Sequence, residues 1–317
     1  MTDIQKGERN IELAPGGEFD IIRRLFDRWG PRVRGAGDDA AMLDVPPNTT
    51  LVASTDSAVD RIHFRRDWIT AEEIGYRVTT AALSDLAAMA ADPLGMLIAI
   101  AAPSAYLPEL DALAVGIGRA VEIAGTHIVG GDLSSAGELV IGVTVLGSAP
   151  RPIRRDGARV GDALYVTGTL GGPSAATRAW YAGDEPRAEW RDRYVRPVAR
   201  LREARWLAER GASAMIDISD GLLADAAHLA RASGVALHVR LDAIPAAGGV
   251  RAEDAASGGD EYELLLSAPA TIATDEFASR FGVPLTRIGS VERGPAEVMA
   301  TIGGERVAPR PGFSHFS

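Results

Sequence analysis

The stretch TAEEIGYRVTTAALSDLAAMAADPLGMLIAIAA, residues 70–102, decides the fold class. Thr70 and Glu73 form a capping-box pair, in which hydroxyl and carboxylate satisfy each other's backbone amides. This opens an alanine-rich helix expected to run to about Ala91 and to be stopped by Pro93. GMLIAIAA then reads as a strand. Working outward, LVAST at 51–55 reads as a buried strand before the helix. LPELDALAVGIGRAVEIAG at 107–125 reads as an amphipathic helix ended by Gly125. THIVGGD and ELVIGVTVLG are two more strands. Strand–helix–strand–helix–strand–strand is an α/β pattern. Upstream, GEFDIIRRLFDRW at 17–29 carries Phe19, Ile22, Leu25, Phe26 and Trp29 at helical spacing.

Downstream, RPIRRDGARVGD at 151–162 breaks the apolar rhythm with proline, glycine and arginine. The domain boundary is expected near 149, giving domains 1–148 and 149–317. In the second half ALYVTG is a strand and GTLGG a glycine-rich turn. PVARLREARWLAERG is a helix and AMIDI a strand. SDGLLADAAHLARASG is a helix with Ser219 as its expected cap. VALHVRL, EYELLLSAP and LTRIGSV read as strands, with a helix near 273–281. The second half is α/β too.

Composition narrows the function. With 317 residues, 46% hydrophobic and 24% charged, the chain can build a sizeable soluble core. A net charge of −10 argues against nucleic-acid binding, which needs a basic surface. Lys6 is the only lysine, so a P-loop or protein-kinase lysine is missing from the body of the chain. Phosphate chemistry here must use arginine, metal and backbone amides. Without cysteine there is no disulfide framework, thiolate nucleophile or zinc–cysteine site. MTDIQKGERN has no apolar signal-peptide core, and LGMLIAIAAP at 94–103 is too short to span a bilayer. A cytoplasmic protein without membrane association is expected.

Six aspartates stand beside glycine, serine or threonine, most at the edge of an apolar run: Asp39, Asp56, Asp85, Asp132, Asp217 and Asp220. Carboxylates at the edge of a core need cations or hydrogen bonds to remain ionised. An all-oxygen site for magnesium fits, since Mg2+ takes a few carboxylates and fills its octahedron with water and phosphate oxygens. Ser54 and Thr55 precede Asp56 and add hydroxyl oxygens. Asp85 has Ala81, Ala82, Ala88 and Met89 as its helical neighbours, an apolar face that demands a partner for the charge. Asp217 and Asp220 lie three apart at a strand-to-helix junction, with Ser219 between them. The same residues also admit plainer readings: tight turns, helix caps, or a salt bridge from Asp85 to an arginine. His63 in RIHF reads first as structural, and Arg154 with Arg155 as a solvated linker or a phosphate clamp.

The joint occurrence of GEFDIIRRL, GAGDDAAML, STD with HF seven residues on, LSDLAAMAADP, IVGGD, IDISDGLLAD, SGGDEYELL and the terminal GFSHF resembles the thiamine-monophosphate kinase family across nearly the whole chain. That family sits in the ATP-binding superfamily of aminoimidazole ribonucleotide synthetase and selenophosphate synthetase. The resemblance implies a two-domain fold of that type and a homodimer whose N-terminal sheets pair into a barrel. It implies ATP-dependent phosphorylation of thiamine monophosphate to thiamine diphosphate, with magnesium. By motif position it assigns Asp39, Ser54, Thr55, Asp56, Asp85, Asp132, Asp217 and Asp220 to metals, with Asp56, Asp85, Asp217 and Asp220 as the catalytic set. Gly131, Asp132, Arg155 and Ser219 fall at nucleotide-contacting positions. His63, Asp260 and Phe313 fall at substrate-contacting positions. Two departures stand near the implied site: GGDLSS where the family reads GGDTT followed by arginine, and GGDE where it reads GGED. They keep open a paralogue that activates a different substrate and a nucleotide-binding regulator without turnover.

Overall fold

The computed structural model describes Asn10, Ile11, Leu13 and residues 15–308. It separates into two compact units, one of residues 1–86 with 91–151 and one of residues 87–90 with 152–317.

The first unit is a four-stranded sheet with helices on one face. The strands are β1 (Thr50–Val59), β2 (Asp92–Ala102), β3 (Ile128–Ser135) and β4 (Val140–Ala149), in the order β1-β4-β2-β3. β4 runs antiparallel to β1 and β2, while β2 and β3 are parallel. Along β4, Ile141, Val143 and Val145 are buried and alternate with half-exposed residues, the period expected of a sheet covered on one side. The helices are α1 (Gly17–Trp29), α2 (Ala71–Ala88) and α3 (Leu110–Ala124). The capping box at Thr70 forms as expected: the Thr70 amide donates to Glu73 Oε2 at 2.9 Å and the Glu73 amide to Thr70 Oγ1 at 3.3 Å.

α2 and α3 touch backbone to backbone. A Cβ on Gly116 would lie 1.8 Å from the Glu72 carbonyl oxygen, and one on Gly75 2.2 Å from that of Leu113. Only glycine permits this approach. α2 stops at Ala88, short of the expected Ala91, because Ala90 takes the left-handed conformation at φ 52° and the Ala91 amide folds back onto the Leu86 carbonyl. Pro93 does not end the helix; it is already inside β2, opposite Gly147. β1 also differs from expectation. It is an edge strand with no fully buried residue, where a buried strand was expected from its apolar start.

The second unit is a seven-stranded mixed sheet in the order β11-β10-β7-β9-β5-β8-β6. Its strands are β5 (Ala163–Thr167), β6 (Ala214–Asp217), β7 (Ala236–Arg240), β8 (Leu264–Ala268), β9 (Leu285–Glu292), β10 (Val298–Ile302) and β11 (Glu305–Val307). β5, β6 and β8 are buried throughout, because both faces of the sheet are covered. Leu164, Val166, Ile216 and Leu265 face the helix α7 (Leu222–Ser233). Tyr165, Met215, Leu264 and Leu266 face the other way, against α6 (Leu201–Glu209) and α9 (Thr274–Phe281). Three helices were not expected from the sequence: α4 (Gly172–Ala182), α5 (Ala188–Val195) and the short α8 (Ala252–Ser257).

Candidate active site

In the first unit β1 and α2 present the first group. Ser54 and Asp56 are two apart on β1, so they share one face of the sheet. Their partners on β4 are Val145 and Val143, which belong to the buried, helix-covered face. Asp85 on α2 meets them there, with Ser54 Oγ donating to its Oδ2 at 2.5 Å. The Asp56 carboxyl is pushed up to about 6, first by desolvation and then by the negative charge of Asp85. The residue itself keeps solvent exposure on its edge strand.

Strand alternation separates the other sequence candidates from this group. Thr55 points to the open face, where its hydroxyl meets Thr144 Oγ1 at 3.0 Å. Asp132 stands in register with Ala99, which pairs with Gly142, which pairs with Ser57: the row next to Asp56, on the open face. It lies within β3 rather than at its end, three strand spacings or about 14 Å from β1. Gly131 is fixed by packing, since a Cβ there would lie 1.9 Å from the Ile98 carbonyl oxygen. Asp39 is exposed beyond a turn whose Gly35 and Gly37 have positive φ, and its amide donates to Asp38 Oδ1 at 2.9 Å. His63 is built into the turn after β1: its Nδ1 accepts the Val59 amide at 3.0 Å.

In the second unit the loops DISDG and SGGDEY are knitted together. The Asp260 amide donates to the Ser219 carbonyl at 2.8 Å, and the Glu261 and Tyr262 amides donate to that of Ile218 at 3.1 and 2.9 Å. Asp217 ends β6 and is buried, while Ser219, Asp220 and Asp260 are half-exposed along the same pair of loops. Ser219 does not cap α7. The N-cap is Gly221, and the amides of Ser219, Asp220 and Gly221 all donate to Asp225 Oδ2 at 3.1, 3.2 and 3.1 Å. Burial raises the Asp225 carboxyl to about 8, with the charges of Asp217 and Asp220 adding to the effect. Amide donation from Asp220 and Gly221 pulls the other way and is outweighed.

Glu261 is fully buried, with Oε1 accepting the Gly171 amide at 2.6 Å, and burial holds its carboxyl well above the usual range. Glu263 is equally buried and held low by the guanidinium of Arg200, whose Nε and Nη2 reach it at 2.7 and 2.5 Å. Two acids two residues apart thus take opposite directions, because only one has a guanidinium bonded to its carboxylate. Arg154 is engaged by Asp156 in a two-point ion pair at 3.0 and 2.7 Å. Arg155 is exposed, its carbonyl accepting from Ser233 Oγ at 2.8 Å. Phe313 lies outside the described residues.

Among the described residues no three histidine, aspartate or glutamate side chains form a ready-made metal cage. Magnesium does not require one. It binds through one or two carboxylates, keeps several waters and takes phosphate oxygens. Asp56 and Asp85 offer hard oxygens whose mutual repulsion a cation would relieve, with the Ser54 hydroxyl beside them, and Asp217 and Asp220 offer a second pair of carboxylates. Both donor sets fit the ion.

Residues 37–149 match the family model for the N-terminal domain of AIR synthase related proteins, and residues 159–301 match that for the C-terminal domain. The thiamine-monophosphate kinase of Salmonella typhimurium is 35% identical over 296 residues, covering 87% of this chain and 90% of that protein. The crystal structure of thiamine-monophosphate kinase from Stenotrophomonas maltophilia superposes with a TM-score of 0.80 at 33% identity, covering 92% of this chain and 98% of that one. A structure of AaThiL complexed with AMPPCP and TMP superposes with a TM-score of 0.75 at 30% identity, covering 95% of this chain and 97% of that one.

Proposed function

The chain belongs to the thiamine-monophosphate kinase family, and on that premise we propose that it transfers the γ-phosphoryl group of ATP to thiamine monophosphate, releasing ADP and thiamine diphosphate. The observation that carries the reading is the pair of oxygen-rich groups, Ser54–Asp56–Asp85 and Asp217–Ser219–Asp220, in a chain with no lysine beyond Lys6. The relatives' names give no support to a paralogue with another substrate or to a regulator without turnover.

The chemistry asks little of an acid or base. The acceptor phosphate oxygen is already ionised near neutral pH, so no strong general base is needed. The bond from the γ-phosphorus to the bridging β-phosphate oxygen breaks as the bond to the acceptor oxygen forms, in line. The barrier is repulsion between anions and their alignment. A bound magnesium ion would supply charge neutralisation at the phosphates. We assign Asp56 and Asp85 in the first unit and Asp217 and Asp220 in the second to hold it. Asp39 and Asp132 remain assigned to metal, with Ser54 and Thr55 as neighbouring oxygen donors. Gly131, Arg155 and Ser219 are assigned to the nucleotide, and His63, Asp260 and Phe313 to the thiamine part. His63 serves as a positioning group, since its Nδ1 holds the turn. ATP as donor makes the cytoplasm the compartment this reading requires.

A homodimer belongs to the same proposal. The open face of the first sheet carries Leu51, Ala53 and Ala99, all exposed, and β1 is an unpaired edge. A second copy covering that face would bury both. The deciding assay is formation of thiamine diphosphate from thiamine monophosphate and ATP. Product is expected with magnesium and none in excess chelator. Full activity in chelator would rule out the metal assignment.

A further inference from the structure

We propose that Tyr262 is a specificity residue for the phosphate acceptor: with Asp260 it forms a carboxylate-and-ring seat for the acceptor's cationic ring. This rests on the thiamine monophosphate reading above.

The loop SGGDEY, residues 257–262, is fixed with unusual completeness. Its last three amides are pinned to the carbonyls of Ile218 and Ser219. A Cβ on Gly259 would lie 2.4 Å from the Ser219 carbonyl oxygen, so the loop lies directly on the DISDG turn. Glu261 turns inward and is fully buried against the Gly171 amide. Glu263 turns inward onto Arg193, Arg200 and Thr167. Ser257 turns its hydroxyl back onto the Glu253 carbonyl, and the other half-exposed side chains are those of Asp260 and Tyr262, which are joined: Tyr262 Oη donates to Asp260 Oδ1 at 3.1 Å.

Both residues hold positive φ, 65° and 53°, which side-chain-bearing residues seldom adopt. The inward anchoring of Glu261 and Glu263 keeps the chain in this conformation. What it yields is a phenol ring and a carboxylate set side by side, with the hydroxyl orienting the acid, next to Ser219 and Asp220. A ring face beside a carboxylate suits a flat organic cation. The thiazolium of thiamine monophosphate is permanently charged. ATP offers a neutral base and an anionic tail, which Asp260 would repel. The seat therefore discriminates for the acceptor and against the donor.

The test compares wild type, Tyr262→Phe and Tyr262→Leu by their KM for each substrate and by thermal melting. Tyr262→Leu removes the ring and is expected to raise KM for thiamine monophosphate about ten-fold, with KM for ATP within about two-fold of wild type. Tyr262→Phe keeps the ring and loses the tether to Asp260, giving a smaller rise of about three-fold. An unchanged KM for thiamine monophosphate in a folded Tyr262→Leu overturns the proposal and leaves the kinase reading standing. Equal losses for both substrates with a lowered melting point mean a structural role and overturn it as well. Should the leucine variant not fold, an unchanged KM in Tyr262→Phe refutes the seat. Wild type that forms no thiamine diphosphate defeats the kinase reading itself, seen without any variant, and the proposal falls with it.

Discussion

Asp56 and Asp85 repel each other across the gap between an edge strand and a helix. Asp56→Asn removes the charge and keeps the shape. With metal chelated at pH 7, this variant is expected to melt at or above the wild-type temperature, yet to show no turnover when magnesium is restored. Asp85→Asn is expected to lose turnover too. Near-normal rates in both would end the metal assignment. Asp225 offers a pH test. Its folded-state pKa of about 8 lies far above the ordinary aspartate value of about 3.9. Between those values the folded chain holds a proton that the unfolded chain has released, so stability falls as pH rises through the window. Asp225→Asn keeps an acceptor oxygen for the three amides and cannot ionise. Melting of the chelated wild type should decline from pH 5.5 to 8.5, and Asp225→Asn should flatten that decline; parallel curves would contradict it. Asp225 was visible in IDISDGLLAD but could not be singled out, because a serine at the start of the expected helix is the commoner cap. The face separation of Asp56 from Asp132 was equally hidden. It follows from strand register, which depends on partners distant in the chain.

At the scale of elements, local chemistry was legible and coverage was not. The Thr70–Glu73 box and the left-handed Gly125 that ends α3 were readable because each is settled within a few residues. β1 was misread as buried because its apolar residues look alike whether a second layer covers them or not. α4 and α5 were missed because one opens on Gly172 and Pro173 and the other, AEWRDRYV, is largely polar. The contact between α2 and α3 gives the sharpest prediction here. Gly116→Ala places a methyl group into the Glu72 carbonyl, where neither helix backbone can yield cheaply. A loss of about 3 kcal/mol is expected by chemical denaturation, the upper part of the range for overpacking. Gly137→Ala is the control, since nothing lies within 4 Å of its Cβ position. Equal stability of the two variants would show that the helices do not meet at Gly116.

For the whole molecule, light scattering at micromolar concentration is expected to give twice the mass of one 33.3 kDa chain. Replacing exposed Leu51 with Lys should shift that equilibrium toward the monomer while leaving single-chain melting little changed. An active monomeric wild type would contradict the pairing of the open sheets. Both α/β halves were legible from the order of strands and helices, but not the small exchange of chain between them. Residues 87–90 belong to the second unit although they are flanked on both sides by the first. Ala87 and Ala88 lie in one core with Ile153, Trp206 and Phe277. The two halves are therefore not cassettes that can be shuffled at a single junction. A recombination event joining the first 151 residues of one relative to the remainder of another would import a foreign piece of core into the second half. The chain can diverge freely on either side of residue 151 only where those two alanines and their packing partners change together.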